Sequence, residues 1–262
     1  MNILITGGHS GIGLELTTIL LEQGHKLGLV VRNQNRADAL EKEIDTTDID
    51  FFYADLSKHQ DVVSVAEQVT TQWQTIDGLF NNAGVMLDDT YFSDSNNEMH
   101  YEVNVLAPYK LATLLAEKLE GGFIVNTATG GLHNQSILKV DTLLAPTKFV
   151  KLMGAYYQSK LALTLLINDF AKSHSNTLIL NVDPGLLKTK MSGNKESMPL
   201  FMKPIVKLFF KPPADGAKKL LNAAFNEQFK DKSGVYITGN KVKRMKVELT
   251  NEWKDKLLAA MK

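Results

Sequence analysis

The sequence predicts an α/β fold, a single domain in which a doubly wound parallel sheet is flanked by helices. Three observations predict it. Short apolar runs rich in Ile, Leu, Val and Phe alternate with longer segments of helical apolar spacing, and parallel strands require crossover connections of that kind. No Pro-, Gly- or Ser-rich linker divides the 262 residues, a length sufficient for one substantial core. Between the first apolar run and the first helical segment stands Thr6-Gly7-Gly8-His9-Ser10-Gly11-Ile12-Gly13, which gives the order strand, tight turn, helix.

In chain order, Ile3-Leu4-Ile5 forms the first strand, and residues 14–21, with Leu14, Leu16, Ile19 and Leu20, form a helix packed on the sheet. A strand at 26–31 and a helix at 36–44 follow, then a strand at 49–53 and a helix at 61–73. A strand at 76–80 leads to a long helix at 98–119, and a strand at 122–127 leads to a helix at 156–172. The series closes with a strand at 178–182, a helix at 213–225 and a strand at 235–238. In such a sheet ligands bind beyond the carboxyl ends of the strands, near the switch in strand order.

Composition narrows the function. Lys and Arg total 29 and so do Asp and Glu, so the formal net charge is zero and gives no general attraction to nucleic acid or an anionic surface. The chain has no cysteine, which excludes disulfides, thiol catalysis and thiolate metal sites, and its six histidines show no paired ligand spacing, so no metal is expected. With an apolar run at the first residues, no leader-like segment and no run of membrane-spanning length, a cytoplasmic protein without an integral membrane segment is the expectation.

Gly7, Gly11 and Gly13 let the backbone approach a bound group closely, and the N–H groups of Ser10, Gly11 and Ile12 at the helix start suit a phosphate. Leu14-Glu15 follows the last glycine where a triphosphate loop needs Lys followed by Ser or Thr, so the pattern favours a dinucleotide in a Rossmann-type sheet; the alternative is a plain turn. Tyr156 and Lys160 stand four apart and share a helix face. A phenol has a pKa of about 10; at about 5 Å and an effective dielectric of about 20, an ammonium favours its anion by about 3 kcal/mol, or about two pKa units. Alone, such a pair is a common solvated helix face.

With Asp55-Leu56, Asn81-Asn82-Ala83-Gly84, Asn104 and Pro184-Gly185 followed by Thr189 in the same order, the chain resembles the short-chain dehydrogenase/reductase family almost end to end. Tyr156-Tyr157-Gln158-Ser159-Lys160-Leu161-Ala162 and the long interval from Gly130 to Ala155 resemble its retinol-dehydrogenase-like branch. The resemblance implies one domain over 1–262, with a dinucleotide-binding half at about 1–120 and a catalytic and substrate-binding half at about 121–262. It implies hydride transfer between a nicotinamide cofactor and a carbonyl or alcohol, with Tyr156 as general acid or base. Lys160 then tunes the phenol and holds the nicotinamide ribose, and Asn104 kinks its helix and holds a water that leads from Lys160; the alternative for Asn104 is structural.

Thr129 stands where the family usually has serine, and its hydroxyl can polarise a carbonyl; packing alone, or replacement by Thr127, is the alternative. Asp55 matches the adenine-contacting acid, with a helix cap as the other reading. Leu56, Asn82, Ala83, Gly84, Pro184, Gly185, Leu187 and Thr189 complete the implied cofactor site, Thr189 at the carboxamide. The segment 130–155, with Leu143, Leu144 and Phe149, is either a pocket wall or a surface flap. An apolar stretch at 190–213 is implied to be a substrate lid; its alternatives are a core helix or a peripheral membrane contact through Lys195, Lys203, Lys207 and Lys211.

The second strand ends in Val30-Val31-Arg32-Asn33, without the carboxylate that NAD-preferring relatives place there, and Arg32 can pair with a 2′-phosphate, so NADP(H) is expected over NAD(H). The expected function is an NADP(H)-dependent oxidoreductase acting on an apolar aldehyde or ketone. The partners implied are that small molecule and a second copy, as a homodimer or homotetramer through the helices near 98–119 and 156–172. The alternative is a regulatory protein that binds NADP(H) without catalysis; an epimerase or dehydratase would show a tighter glycine loop and a larger C-terminal domain.

Overall fold

A computed structural model describes residues 1–187 and 211–261. Among these residues the sheet has eight strands: β1 Asn2–Thr6, β2 Lys26–Val31, β3 Ile49–Tyr53, β4 Gly78–Asn81, β5 Phe123–Thr127, β6 Leu178–Val182, β7 Val235–Thr238 and β8 Lys241–Lys243. They are ordered β3-β2-β1-β4-β5-β6-β7-β8; the first seven run parallel and β8 pairs antiparallel with β7. The order reverses between β1 and β4, so the loops after these two strands face each other across the switch point.

The helices are α1 Gly11–Glu22, α2 Gln34–Glu41, α3 His59–Gln72, α4 Met99–Tyr101, α5 Ala107–Leu114, α6 Asp141–Leu144, α7 Ala155–Ala171, α8 Pro213–Phe225 and α9 Asn251–Leu258. One face of the sheet packs against α3, α5 and α7 through Val65, Val69, Leu111, Leu161 and Leu165. The other face packs against α1, α2 and α8 through Leu16, Leu20, Leu40, Ala217 and Leu220. The α/β fold expected from the sequence is therefore observed, with β8 and α9 added. Exposed Lys241–Lys243 show no apolar alternation that would mark an edge strand.

The helix expected over 98–119 is interrupted. A π-helical turn, Glu102–Leu106, lies between α4 and α5, with the Ala107 N–H reaching back five residues to the Glu102 carbonyl. Two features of the sequence account for it. Pro108 has no N–H to give the Asn104 carbonyl one turn earlier, and the Asn104 side chain is pulled toward the β4 loop, its Oδ1 accepting from Val85 N at 2.8 Å. The strands also carry a buried amide row: Asn81, Asn126 and Asn181 are cross-strand neighbours on β4, β5 and β6, and Asn81 Nδ2 donates to Asn126 Oδ1 at 3.0 Å.

The C-terminal segment closes over α5 and α7. Leu257 is buried in their core, the Tyr101 hydroxyl donates to the Leu257 carbonyl, and Lys254 Nζ reaches Asp169 Oδ2 at 2.6 Å. Nearly every residue of α7 is buried within the chain itself.

Candidate active site

The site begins where β1 ends. Thr6 turns its hydroxyl toward the β4 loop and accepts from Asn82 N and Ala83 N, each at 3.0 Å, which joins the two sides of the switch point. Gly11 opens α1 at φ +55°, and Gly13 packs so closely that a Cβ there would lie 2.1 Å from the Gly7 carbonyl oxygen. Ser10 stands before α1 without a side-chain cap, so the first N–H groups of the helix have no hydroxyl partner from it. A cavity of about 670 Å³ runs along this seam, bordered by Gly7, Ser10, Gly11 and Ile12 at its centre. That volume and the glycine cradle fit an extended dinucleotide.

At one end the cavity meets Arg32, Asn33, Arg36, Asp55 and Leu56. Arg32 Nε lies 3.4 Å from Asp55 Oδ2, while Asp55 Oδ1 accepts from Ser57 N at 3.0 Å and from the Ser57 hydroxyl at 2.7 Å. Burial pushes the Asp55 carboxyl up, but the Ser57 bonds and the charges of Arg32 and Lys58 outweigh it and hold it below the usual carboxylate value. Asp55 thus serves the local turn and borders the cavity at once. Asn33 caps α2 through Arg36 N at 3.3 Å, which brings the Arg36 side chain to the same wall as Arg32. Arg36 escaped the sequence reading because it was counted only as a helix residue; a second cation four positions after Arg32 was the available signal.

At the other end stand Thr129, Tyr156 and Lys160, with Ala83, Gly84, Pro184, Gly185 and Leu187 around them. Thr129 lies beside the Tyr156 phenol on the cavity wall, and the Thr129 carbonyl is held by the Tyr236 hydroxyl at 2.8 Å. Thr127 instead turns to Asn82 Oδ1 at 3.4 Å, so Thr129 is the threonine beside the phenol. Lys160, 5% exposed, donates from Nζ to the Thr127 carbonyl at 2.9 Å. Asn104 is buried behind Gly84, its Nδ2 bonded to Val85 O at 2.9 Å and Ser159 Oγ at 3.1 Å. A Cβ on Gly84 would lie 3.0 Å from Asn104 Oδ1 and 3.3 Å from Lys160 Nζ, so a side chain there would press on both.

The electrostatics differ from the argument built on spacing. Burial raises the Tyr156 pKa; the Thr129 hydroxyl opposes this and the Asp183 carboxylate adds to it. Burial also lowers Lys160 to about 8. The four-residue spacing of Tyr156 and Lys160 predicts a lowered phenol pKa, whereas dehydration of the phenol raises it and dehydration of the ammonium lowers Lys160.

Asp183, absent from the sequence reading, holds the β6 loop: its Oδ1 accepts from Gly185 N at 2.8 Å and its Oδ2 from the Thr238 hydroxyl at 2.6 Å. Its partners lie on the same loop and on β7, and no motif spacing joins them. Leu143 is a core residue rather than a pocket wall, and neither Leu144 nor Phe149 reaches the cavity. Leu152 does, at φ +59°, a left-handed conformation uncommon for leucine. Gly13 and Asn104 support the cavity from behind. Thr189 and most of the expected lid over 190–213 lie outside the described residues.

The sequence profile of the short chain dehydrogenase family matches residues 1–199. The chain is 26% identical over 265 residues to retinol dehydrogenase 13 of Homo sapiens, a match that covers 95% of this chain and 80% of that protein. Retinol dehydrogenase 11 of Homo sapiens is 28% identical over 259 residues, with the same coverage. Among solved structures, the RhlG/NADP active-site complex of Pseudomonas aeruginosa superposes with a TM-score of 0.69 at 21% identity, covering 90% of this chain and 93% of that one.

Proposed function

The chain belongs to the short-chain dehydrogenase family, and on that premise we propose that it interconverts an apolar aldehyde or ketone and its alcohol with NADP(H). The observation that carries the reading is the convergence of Thr129, Tyr156 and buried Lys160 at the end of a cavity that starts on the glycine loop. NADPH, when bound, supplies the hydride. Gly7, Ser10, Gly11 and Ile12 would hold its phosphates, Arg32 and Arg36 its 2′-phosphate, and Lys160 its nicotinamide ribose.

Tyr156 gives its proton to the carbonyl oxygen as that oxygen gains charge, and takes it back in alcohol oxidation. A carbonyl oxygen placed between the two hydroxyls receives O–H donors from both Thr129 and Tyr156, which stabilises the developing alkoxide. Buried Lys160 favours the resulting phenolate. Asn104, adjoining Lys160 across Gly84, stands where a proton path to solvent can continue.

Preference for NADP(H) is supported by the absence of a carboxylate at the end of β2 and by two arginines on that wall. Apolar substrates are supported by Val85, Met86, Leu152 and Leu186 along the cavity, and by relatives named as dehydrogenases of retinol. No helix among the described residues is long and apolar enough to cross a membrane. The cytoplasmic location stays part of this proposal, as does a homodimer or homotetramer through the helices near 98–119 and 156–172. The experiment is loss of NADPH absorbance over a panel of aldehydes and ketones, with NADH in parallel; cofactor binding with no turnover across the panel would favour a sensor.

A further inference from the structure

Behind the tyrosine lies a buried titratable pair that the reaction above does not use. Glu98 and His100 are each 1% exposed, and His100 Nδ1 lies 2.6 Å from Glu98 Oε1. The other carboxylate oxygen, Oε2, accepts the Tyr101 N–H at 3.0 Å and so caps α4. The other ring nitrogen, Nε2, lies 3.0 Å from Leu87 N. A backbone N–H can only donate, so Nε2 must carry a lone pair, and the ring proton then sits on Nδ1 and points to the carboxylate. The same ring meets Tyr156 edge to face, with centroids 6.2 Å apart and planes at 71°. Leu87 follows Val85 and Met86, which line the cavity, and Asn104 already holds Val85 through both its N–H and its carbonyl.

We propose that His100, oriented by Glu98, is a positioning residue: it ties the Val85–Leu87 wall to the ring of Tyr156 and sets where the phenol stands relative to a substrate held against that wall. This rests on the reading of Tyr156 as proton donor. It also gives a reason for a carboxylate at Glu98. Both of its oxygens accept, one from His100 and one from Tyr101, and an amide would set a donor against one of those donors.

The test uses the full chain in two parts. Nitrogen-15 spectroscopy of histidine-labelled protein, with the His100 signal assigned by its loss in His100→Gln, reads the tautomer without substrate. A protonated Nδ1 and bare Nε2 are expected; a proton on Nε2 overturns the proposal. The second part is steady-state reduction with NADPH of a carbonyl that the wild type accepts. His100→Gln sets an amide oxygen near the Nε2 position and retains an acceptor for Leu87, His100→Asn retains only the Glu98 contact, and His100→Phe retains neither. The kcat of the Asn and Phe variants is expected to fall by about tenfold or more, that of the Gln variant by less, with NADPH Kd within about twofold of wild type. Unchanged kcat in all three, an Asn variant as active as the Gln variant, or a loss confined to NADPH Kd overturns it. Absence of wild-type turnover instead defeats the dehydrogenase reading, and the positioning role with it; the tautomer result identifies that case because it is read separately.

Discussion

Replacing Lys160 with methionine should remove a pH dependence of stability that the wild type carries. Burial lowers the lysine from its ordinary 10.5 to about 8, which at about 1.4 kcal/mol per pH unit places about 3 kcal/mol on keeping the ammonium charged in the folded state. The sign follows from proton counts. Between pH 8 and 10.5 the unfolded chain holds this proton and the folded chain releases it, so stability rises with pH; below pH 8 both hold it and the penalty is fully present. From pH 7 to 9.5 the wild type should therefore gain about 2 kcal/mol relative to Lys160→Met. The absolute gap at pH 7 is smaller than 3 kcal/mol, because the variant leaves the Thr127 carbonyl without its donor at a cost of about 1–3 kcal/mol. Urea unfolding of both proteins at pH 7, 8, 9 and 9.5, followed by tryptophan fluorescence, measures the difference, and subtraction cancels groups the two proteins share. A gap that stays constant across this range would refute the burial argument.

Three further outcomes follow from the site. Thr129→Val, which keeps the shape and deletes the hydroxyl, should lower kcat/KM by about 100- to 1,000-fold, whereas Thr129→Ser should retain activity; equal activity of the Val variant would remove Thr129 from the chemistry. Gly84→Ala should lower kcat by about tenfold or more by pressing on Asn104 Oδ1 and Lys160 Nζ, with NADPH Kd as the control for folding. Arg36→Ala and Arg32→Ala should each weaken NADPH binding by about tenfold or more and leave NADH nearly unchanged, read by titration calorimetry; equal losses for both cofactors would place the arginines away from the 2′-phosphate.

The fold was legible because βα alternation leaves few topologies, and the glycine loop fell at the strand switch as the sheet order requires. The glycine loop and the Tyr156/Lys160 pair stood out by spacing, whereas Asp55, Asn82, Asn104 and Thr129 were singled out by the family resemblance. What spacing cannot carry is contact between distant segments. His100 meets Leu87 and Tyr156, Asp183 meets Thr238, and Tyr101 reaches Leu257, each through tertiary packing. Leu152 reaches the cavity from a left-handed backbone conformation, a state its side chain does not advertise. The rise in the Tyr156 pKa was invisible for a different reason: dehydration depends on the density of the folded environment, and the four-residue spacing of Tyr156 and Lys160 reports only their proximity.

The central claim is that Tyr156 gives the proton in an NADPH-driven carbonyl reduction. The loss of NADPH absorbance with wild type and Tyr156→Phe over a panel of apolar aldehydes and ketones tests it most directly. The account predicts turnover by wild type and a fall of about 100- to 10,000-fold in the variant, with NADPH still bound. Near-normal turnover by Tyr156→Phe would contradict it.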